Sequence, residues 1–281
     1  MDSELCNIFN DLNNVVLVNV RVGLKHKKHN YPKKIIISNQ DFFDDINTEE
    51  KAYWLGFLYA DGCIFENKHE KEQRNSVQHI LSLGLSKKDE VHLQKFADIF
   101  GVKLHYKKNG NGDMSYIQIC SKYLYDRLFE LGMRNRNLNI IKEKVSEDLI
   151  RHFIRGFFDG DGCITKFQMK SKYHKKTTKE DVEYIYDYCG VSFACFSYEF
   201  ANDLQNIICN KTGLSKTKII KHTGNCWYPY WGGKYNINLL YDWLYKDMVV
   251  CLERKYGIFN DILLSDNLIK NRIDSYIESL I

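Results

Sequence analysis

A thirteen-residue segment occurs twice in this chain, one hundred residues apart, and it limits the fold more than any other feature. Ala52-Tyr-Trp-Leu-Gly-Phe-Leu-Tyr-Ala-Asp-Gly-Cys-Ile64 returns as His152-Phe-Ile-Arg-Gly-Phe-Phe-Asp-Gly-Asp-Gly-Cys-Ile164. Downstream of the two copies the elements run in the same order. After the first come a polar loop (Glu66–Asn75), a strand (His79–Leu85) and an amphipathic helix (Lys88–Phe100). Strands Lys103–Tyr106 and Ser115–Ile119 come next, around a turn at Asn109–Asp113, then a helix Lys122–Leu131 with Gly132 at its C-terminal cap. After the second come a polar loop (Lys166–Asp181), a strand (Tyr188–Ser197), a helix (Tyr198–Lys211), strands Lys216–Lys221 and Tyr228–Ile237, and a helix (Leu239–Met248). The 281 residues therefore read as one α+β unit built twice: two pseudo-symmetric αββαββα halves, residues 41–145 and 146–262. Residues 1–40, with an alternating apolar stretch Val15–Val22 followed by basic clusters, read as an arm laid on DNA or on the sheet, or as a disordered lead. Residues 263–281 space Leu264, Leu268, Ile269, Ile273, Ile277 and Leu280 like one face of a helix.

The repeated segment reads as a helix that ends in a carboxylate. Asn47 with Glu50 can cap the first copy, and Ser146 with Glu147 and Asp148 the second. Gly62 and Gly162 are expected to stop the helices in the left-handed conformation, so that Asp61 and Asp161 sit at helix C-termini. Acids there oppose the helix dipole, a conflict that a bound cation relieves. Gly56 with Ala60, and Gly156 with Gly160, put small residues on one face of each helix and permit close backbone approach. If those faces pack together, the two acids converge. A nearly bare pair of hard oxygen donors suits Mg²⁺ (or Mn²⁺), which keeps waters and recruits phosphate oxygens. One such acid alone is an ordinary helix-end residue; two in register are not.

The segments Trp54-Leu-Gly-Phe-Leu-Tyr-Ala-Asp-Gly62 and Ile154-Arg-Gly-Phe-Phe-Asp-Gly-Asp-Gly162 resemble the paired motifs of the LAGLIDADG homing endonucleases, in the single-chain form with two motifs. The resemblance covers roughly residues 41–259. It implies motif helices packed at the centre and two antiparallel four-stranded sheets forming a saddle in the major groove of double-stranded DNA. It further implies that Asp61 and Asp161 hold divalent metal and cut one strand each of a long, asymmetric target. Tyr59 departs from the motif, whose sixth position is Asp, as Asp159 is in the second copy; in the family that position is structural. A basic residue near the end of each half commonly supports the transition state, which by resemblance falls on Arg136 and Lys255. Two other readings share the fold: an intron maturase, which binds RNA and assists splicing, and a catalytically silent DNA-binding protein. Retention of both acids argues against the second.

Contact with DNA is expected from basic residues on strands and the loops joining them: Lys68, Lys71 and Arg74 in the first half, and Lys166, Lys170, Lys172, Lys175 and Lys176 in the second. Their equivalent positions suggest one shared surface. Gln78, Ser82, Gln118, Ser192 and Ser197 are candidates for reading base edges from strands. Gly232-Gly233 reads as a hairpin tip, with Lys234 beside it as a phosphate contact.

Composition adds exclusions. Apolar residues are 44 % and charged residues 27 %, ordinary for a folded domain. The net charge of +4 separates a nucleic-acid binder from other proteins poorly, so its distribution matters more than its total. Nine scattered cysteines, none spaced C-x-x-C, encode neither a disulfide framework nor a zinc ribbon and fit a reducing compartment. Cys63 and Cys163 read as small buried residues at the start of a strand. No histidine lies in a zinc-binding pattern. With no apolar run long enough for a membrane span, the chain is expected to be intracellular; its low proline and richness in Tyr, Lys, Asn and Ile resemble translation of an AT-rich genome, as in organelles, phages or large DNA viruses, and the family resemblance implies a monomer.

Overall fold

The computed structural model describes residues 37–71, 74–109, 112–175, 177, 179–222 and 224–263. Residues 1–36, where an arm is expected, Lys176, and residues 264–281, where a helix is expected, lie outside them. The chain forms two compact units. One comprises Asp61–Val145 with the residues up to Asn47; the other takes Thr48–Ala60 together with the residues from Ser146 onward. Helix α1 (Glu49–Asp61) thus gives its body to the second unit and its last residue to the first.

In the first unit a meander and two covering helices share one core. Strands β1 (Gly62–Lys71), β2 (Arg74–Ser86), β3 (His105–Asn109) and β4 (Gly112–Cys120) form an antiparallel sheet in the order β1-β2-β4-β3. Period-two alternation puts Ile64, Leu81, Leu83, Ile117 and Ile119 on one buried face. Helix α2 (Glu90–Phe100) buries Leu93, Phe96, Ala97 and Phe100 and ends at Gly101 with φ 64°. Helix α3 (Lys122–Glu130) is capped by Ser121 Oγ, which accepts from Leu124 N over 3.2 Å. A short helix α4 (Leu138–Lys144), capped by Asn137, was not expected from the sequence pattern because it is only two turns long.

The second unit repeats the plan with a break. Helix α5 (Ile150–Asp161) leads into β5 (Gly162–Lys175), β6 (Glu180–Phe193) and α6 (Tyr198–Thr212). Strands β7 (Ile220–Lys221), β8 (Trp227–Tyr228) and β9 (Tyr230–Gly232) precede α7 (Lys234–Tyr245), and residues 253–263 form a helix, α8. The expected four-stranded sheet is here a three-stranded sheet, β5-β6-β9, and a separate ribbon, β7-β8. Pro229 separates β8 from β9. Proline has no N–H to donate to a ladder, so the strand is interrupted there while the spatial order of the first sheet is kept.

Several local expectations are corrected. The cap of α1 is Thr48, not Asn47: Lys51 N donates to Thr48 Oγ1 over 3.3 Å. Helix α5 starts at Ile150 without a side-chain cap, and Ser146 contributes only its backbone carbonyl. Gly162 is extended (φ −81°, ψ 155°), and Gly62 is not in the left-handed region either. Glycine is needed at 162 for space, since a Cβ there would lie 2.1 Å from the Phe158 ring. The expected polar loops after each motif are the long strands of two hairpins. The Gly232-Gly233 tip is instead the start of α7, with Gly233 at φ 89° before it.

Candidate active-site residues and sheet faces

Residues 52–60 of α1 are buried all round, as befits a helix enclosed on every side. It packs on α5 with backbones almost touching. A Cβ on Gly56 would lie 1.9 Å from the Phe153 carbonyl oxygen, and one on Gly156 would lie 1.9 Å from that of Tyr53. The small-residue faces anticipated from the repeat are therefore the contact between the motif helices. Asp61 is the last residue of α1 and is exposed; Asp161 is the last of α5 and is half-buried. The Asp161 backbone carbonyl accepts from Ala194 N over 2.9 Å, tying the end of α5 to the strand connection after β6.

Helix α5 is held by a buried polar network that the motif alone does not announce. Arg155, fully buried, donates from Nε to Val250 O (3.0 Å), from Nη1 to Leu244 O (2.9 Å) and from Nη2 to Glu49 Oε1 (2.6 Å). Its guanidinium also lies over the Tyr53 ring, 5.3 Å from the centroid. One turn on, Asp159 accepts from the hydroxyls of Tyr53 (2.8 Å) and Tyr245 (2.6 Å) and from Leu252 N (2.7 Å). Burial raises the carboxyl's pKa, while these donors and the nearby Lys255 pull it down; burial also holds the Tyr53 and Tyr245 hydroxyls well above their ordinary range. The sixth position of the second motif is thus a structural clasp on the segment after α7. In the first copy Tyr59 occupies that place, buried edge-on against Phe153 at 5.1 Å.

Lys255, on α8, is buried, and its Nζ donates to Phe158 O (2.8 Å) and Gly160 O (2.9 Å). A cation on the last carbonyls of a helix answers the dipole that Asp161 opposes. Arg136 is half-buried in the turn before α4, in the left-handed region with φ 47°.

Strand register assigns the expected DNA contacts to faces. Gln78 lies opposite Asn67, Ser82 opposite Cys63 and Gln118, and Ser192 opposite Cys163. All four candidates alternate with the buried residues and so lie on the open face of their own sheet. Cys63 and Cys163 share that face and are exposed, not buried. Ser197 is no strand residue: its Oγ caps α6, accepting from Phe200 N over 3.1 Å. Lys234 is the first residue of α7 and half-buried. Lys71 and Arg74 are register partners at the end of the first hairpin, and Lys175 pairs with Glu180 at the end of the second. Lys68, Lys166, Lys170 and Lys172 alternate in phase with Ile64 and Ile164, which puts them on the reverse face. Lys172 is paired with Glu183, and Lys166 reaches the Asp261 carbonyl over 3.5 Å.

Two such helix-and-sheet units, each entered through an apolar helix closed by an acid, are the architecture of a two-motif homing-endonuclease fold. The chain belongs to the LAGLIDADG family: residues 54–131 match the model described as LAGLIDADG endonuclease, and residues 148–231 match the LAGLIDADG-like domain. Among solved structures it is similar to the I-SmaMI LAGLIDADG homing endonuclease bound to cleaved DNA, with TM-score 0.54 and 16 % identity over 79 % of this chain and 90 % of that one. I-SmaMI bound to uncleaved DNA target in the presence of calcium ions gives 0.52 and 15 %, over 79 % and 92 %. The I-LtrWI LAGLIDADG homing endonuclease bound to target DNA gives 0.51 and 13 %, over 85 % and 97 %. Two curated proteins of Methanocaldococcus jannaschii also match. Replication factor C small subunit is 27 % identical over 59 % of this chain, and glutamine–fructose-6-phosphate aminotransferase 25 % identical over 50 %. The matched segments make up 8 % and 13 % of those proteins.

Proposed function

We propose that the chain is a site-specific endonuclease that hydrolyses phosphodiester bonds on both strands of a long, asymmetric double-stranded DNA target, with divalent metal held by Asp61 and Asp161. The observation that carries this reading is the acid repeated in register at the last position of two apolar helices, α1 and α5, that touch backbone to backbone. Binding alone calls for no acid where helix carbonyls are already negative and a phosphate backbone would approach. Among the described residues no group of three or more His, Cys, Asp or Glu could hold a metal. A pair of carboxylates repeated in register suits Mg²⁺ or Mn²⁺, whose remaining positions take water and phosphate oxygens, better than an ion needing a protein cage. Such an ion supplies a water of lowered pKa and neutralises charge on the phosphate.

The chain's own residues hold the acids in place. Lys255 fixes the carbonyls of Phe158 and Gly160 just before Asp161, a positioning role, and Asp159 secures the segment that carries Lys255. Arg136 is the first half's basic candidate for the phosphate. Incubating the chain with a randomised duplex library and Mg²⁺ and sequencing the ends tests the reading: defined double-strand ends are expected. Asp161→Asn should abolish double-strand cleavage while DNA binding persists; full cleavage by that variant overturns the two-acid mechanism.

A further inference from the structure

Strands β5 and β6 pair over fourteen residues each, but only Gly190, Val191 and Ser192 of β6 are paired with β9. Among the described residues no third strand pairs with the rest of this hairpin, whose two faces differ in chemistry. One face carries Lys166, Gln168, Lys170, Lys172 and His174, with polar partners across the strands: Lys172 pairs with Glu183, His174 lies 2.9 Å from Asp181, and Gln168 donates to Asp187 over 3.3 Å. The other face is the continuation of the open face that begins beside Asp161. There Phe167 opposes Tyr188, Met169 opposes Tyr186 and Ser171 opposes Tyr184.

These side chains are exposed or half-buried, yet ordered against one another. Phe167 and Tyr188 rings lie 5.0 Å apart, Tyr184 stacks on Tyr186 at 5.5 Å, and the Tyr186 hydroxyl donates to Met169 Sδ over 3.6 Å. The root of the stripe is fixed by Tyr230, whose hydroxyl donates to that of Tyr188 and whose ring fills the space a Cβ on Gly190 would need. A preassembled apolar face costs little ordering on binding. On the first sheet the equivalent face mixes polar Asn67, Gln78, Ser82 and Gln118 with the apolar register partners Phe65 and Ile80.

We propose that this stripe, Phe167, Met169, Tyr184, Tyr186 and Tyr188, determines specificity in the second half by apolar contact with thymine methyl groups in the major groove, so that its half-site is an A·T-rich block. The inference rests on the proposed duplex-DNA function. The major groove admits a two-stranded β-ribbon, and the thymine methyl is the one apolar group that base pairs present there. Tyr173 continues the same face, its ring 5.9 Å from that of Tyr184, so the stripe from Phe167 to Tyr173 runs six residues, about 20 Å, or about six base pairs of duplex. Polar amides on the first sheet would instead pair with adenine or guanine edges, which makes the expected target asymmetric in chemistry as well as in sequence.

The test selects duplexes bound by the full chain from a randomised library, then measures their affinity with thymines replaced by deoxyuridine. Selected duplexes should contain one A·T-rich block of about six base pairs, and each contacted methyl removed should weaken binding about fourfold. The double variant Phe167→Ser with Tyr184→Ser should bind thymine and deoxyuridine duplexes alike, whereas Lys170→Ala should keep the discrimination. Thermal melting checks that both variants fold. Equal affinity of the unaltered chain for thymine and deoxyuridine duplexes overturns this inference alone. Retention of no duplex, or displacement of duplex by single-stranded RNA, overturns it together with the DNA reading.

Discussion

Arg155 Nη2 and Glu49 Oε1 are 2.6 Å apart, so the middle of the second motif helix is bound to the first residue of α1. The same carboxylate oxygen also accepts from Val249 N. Every guanidinium donor with a named partner lands on a helix end or on the segment after α7, which makes Arg155 the centre of the second unit's polar core. Removing one partner of a buried ion pair leaves the other charge unanswered. Arg155→Met should lower unfolding free energy by about 3–5 kcal/mol in urea titrations. Arg155→Lys should recover little of it, because an ammonium cannot span Val250 O, Leu244 O, Glu49 Oε1 and His152 Nδ1 as a planar fork does.

Close approach of α1 and α5 gives a second expectation. Gly156→Ala puts a methyl 1.9 Å from the Tyr53 carbonyl and forces the helices apart. Overpacking of this kind costs about 1–3 kcal/mol, and more when backbone must move. A variant chain melting at the same temperature as the parent would contradict the packing.

His152 makes stability depend on pH. Burial first, and then the charge of Arg155, depresses its pKa from 6.5 to about 4. Arg155 Nη1 lies 2.8 Å from Nδ1, which must accept from it and so cannot carry a proton. The folded chain therefore binds this proton less readily than the unfolded chain. The stabilisation from neutral His152 is fully present above pH 6.5 and is lost as pH falls from 6.5 towards 4, by up to about 3 kcal/mol. Urea titrations at pH 7 and pH 4.5 should show the loss, and His152→Gln should remove that part of the slope.

Lys255 should act on cleavage through the end of α5. Lys255→Met leaves the Phe158 and Gly160 carbonyls without their donor and should cost about 1–3 kcal/mol of stability. At a temperature where the variant remains folded, Ca²⁺ titration of the chain without DNA should show weaker binding, whereas Lys255→Arg should restore much of it. Unchanged Ca²⁺ affinity in Lys255→Met would remove the positioning role.

Much of the plan was legible in the repeat. Helix ends, their acids and the glycines at 56 and 156 follow from residue spacing, because a 3.6-residue period and a missing Cβ act locally. The hairpins were not. Lys166–Asp181 is polar and charged, and reads as a loop by composition; it forms strands because cross-strand partners such as Lys172 with Glu183, and Phe167 with Tyr188, satisfy each other across the ribbon. The aromatic stripe alternates with lysines and so is masked by the segment's polar composition. Asn47 and Thr48 are equally good capping residues of α1 by type, and only the backbone path chooses between them.

By itself, then, the amino-acid sequence determined that one α+β unit is used twice, that each begins with an apolar helix, and that each helix closes on an aspartate. These depend on neighbours along the chain. Tertiary structure alone decided which face of each hairpin is open, where Pro229 breaks the second sheet, and which groups surround Arg155, Asp159 and Lys255. Those outcomes depend on partners that are distant in sequence: Glu49 is 106 residues from Arg155, and Phe158 is 97 from Lys255. A buried charge is tolerated only where folding brings such partners to it, and no local pattern records their arrival.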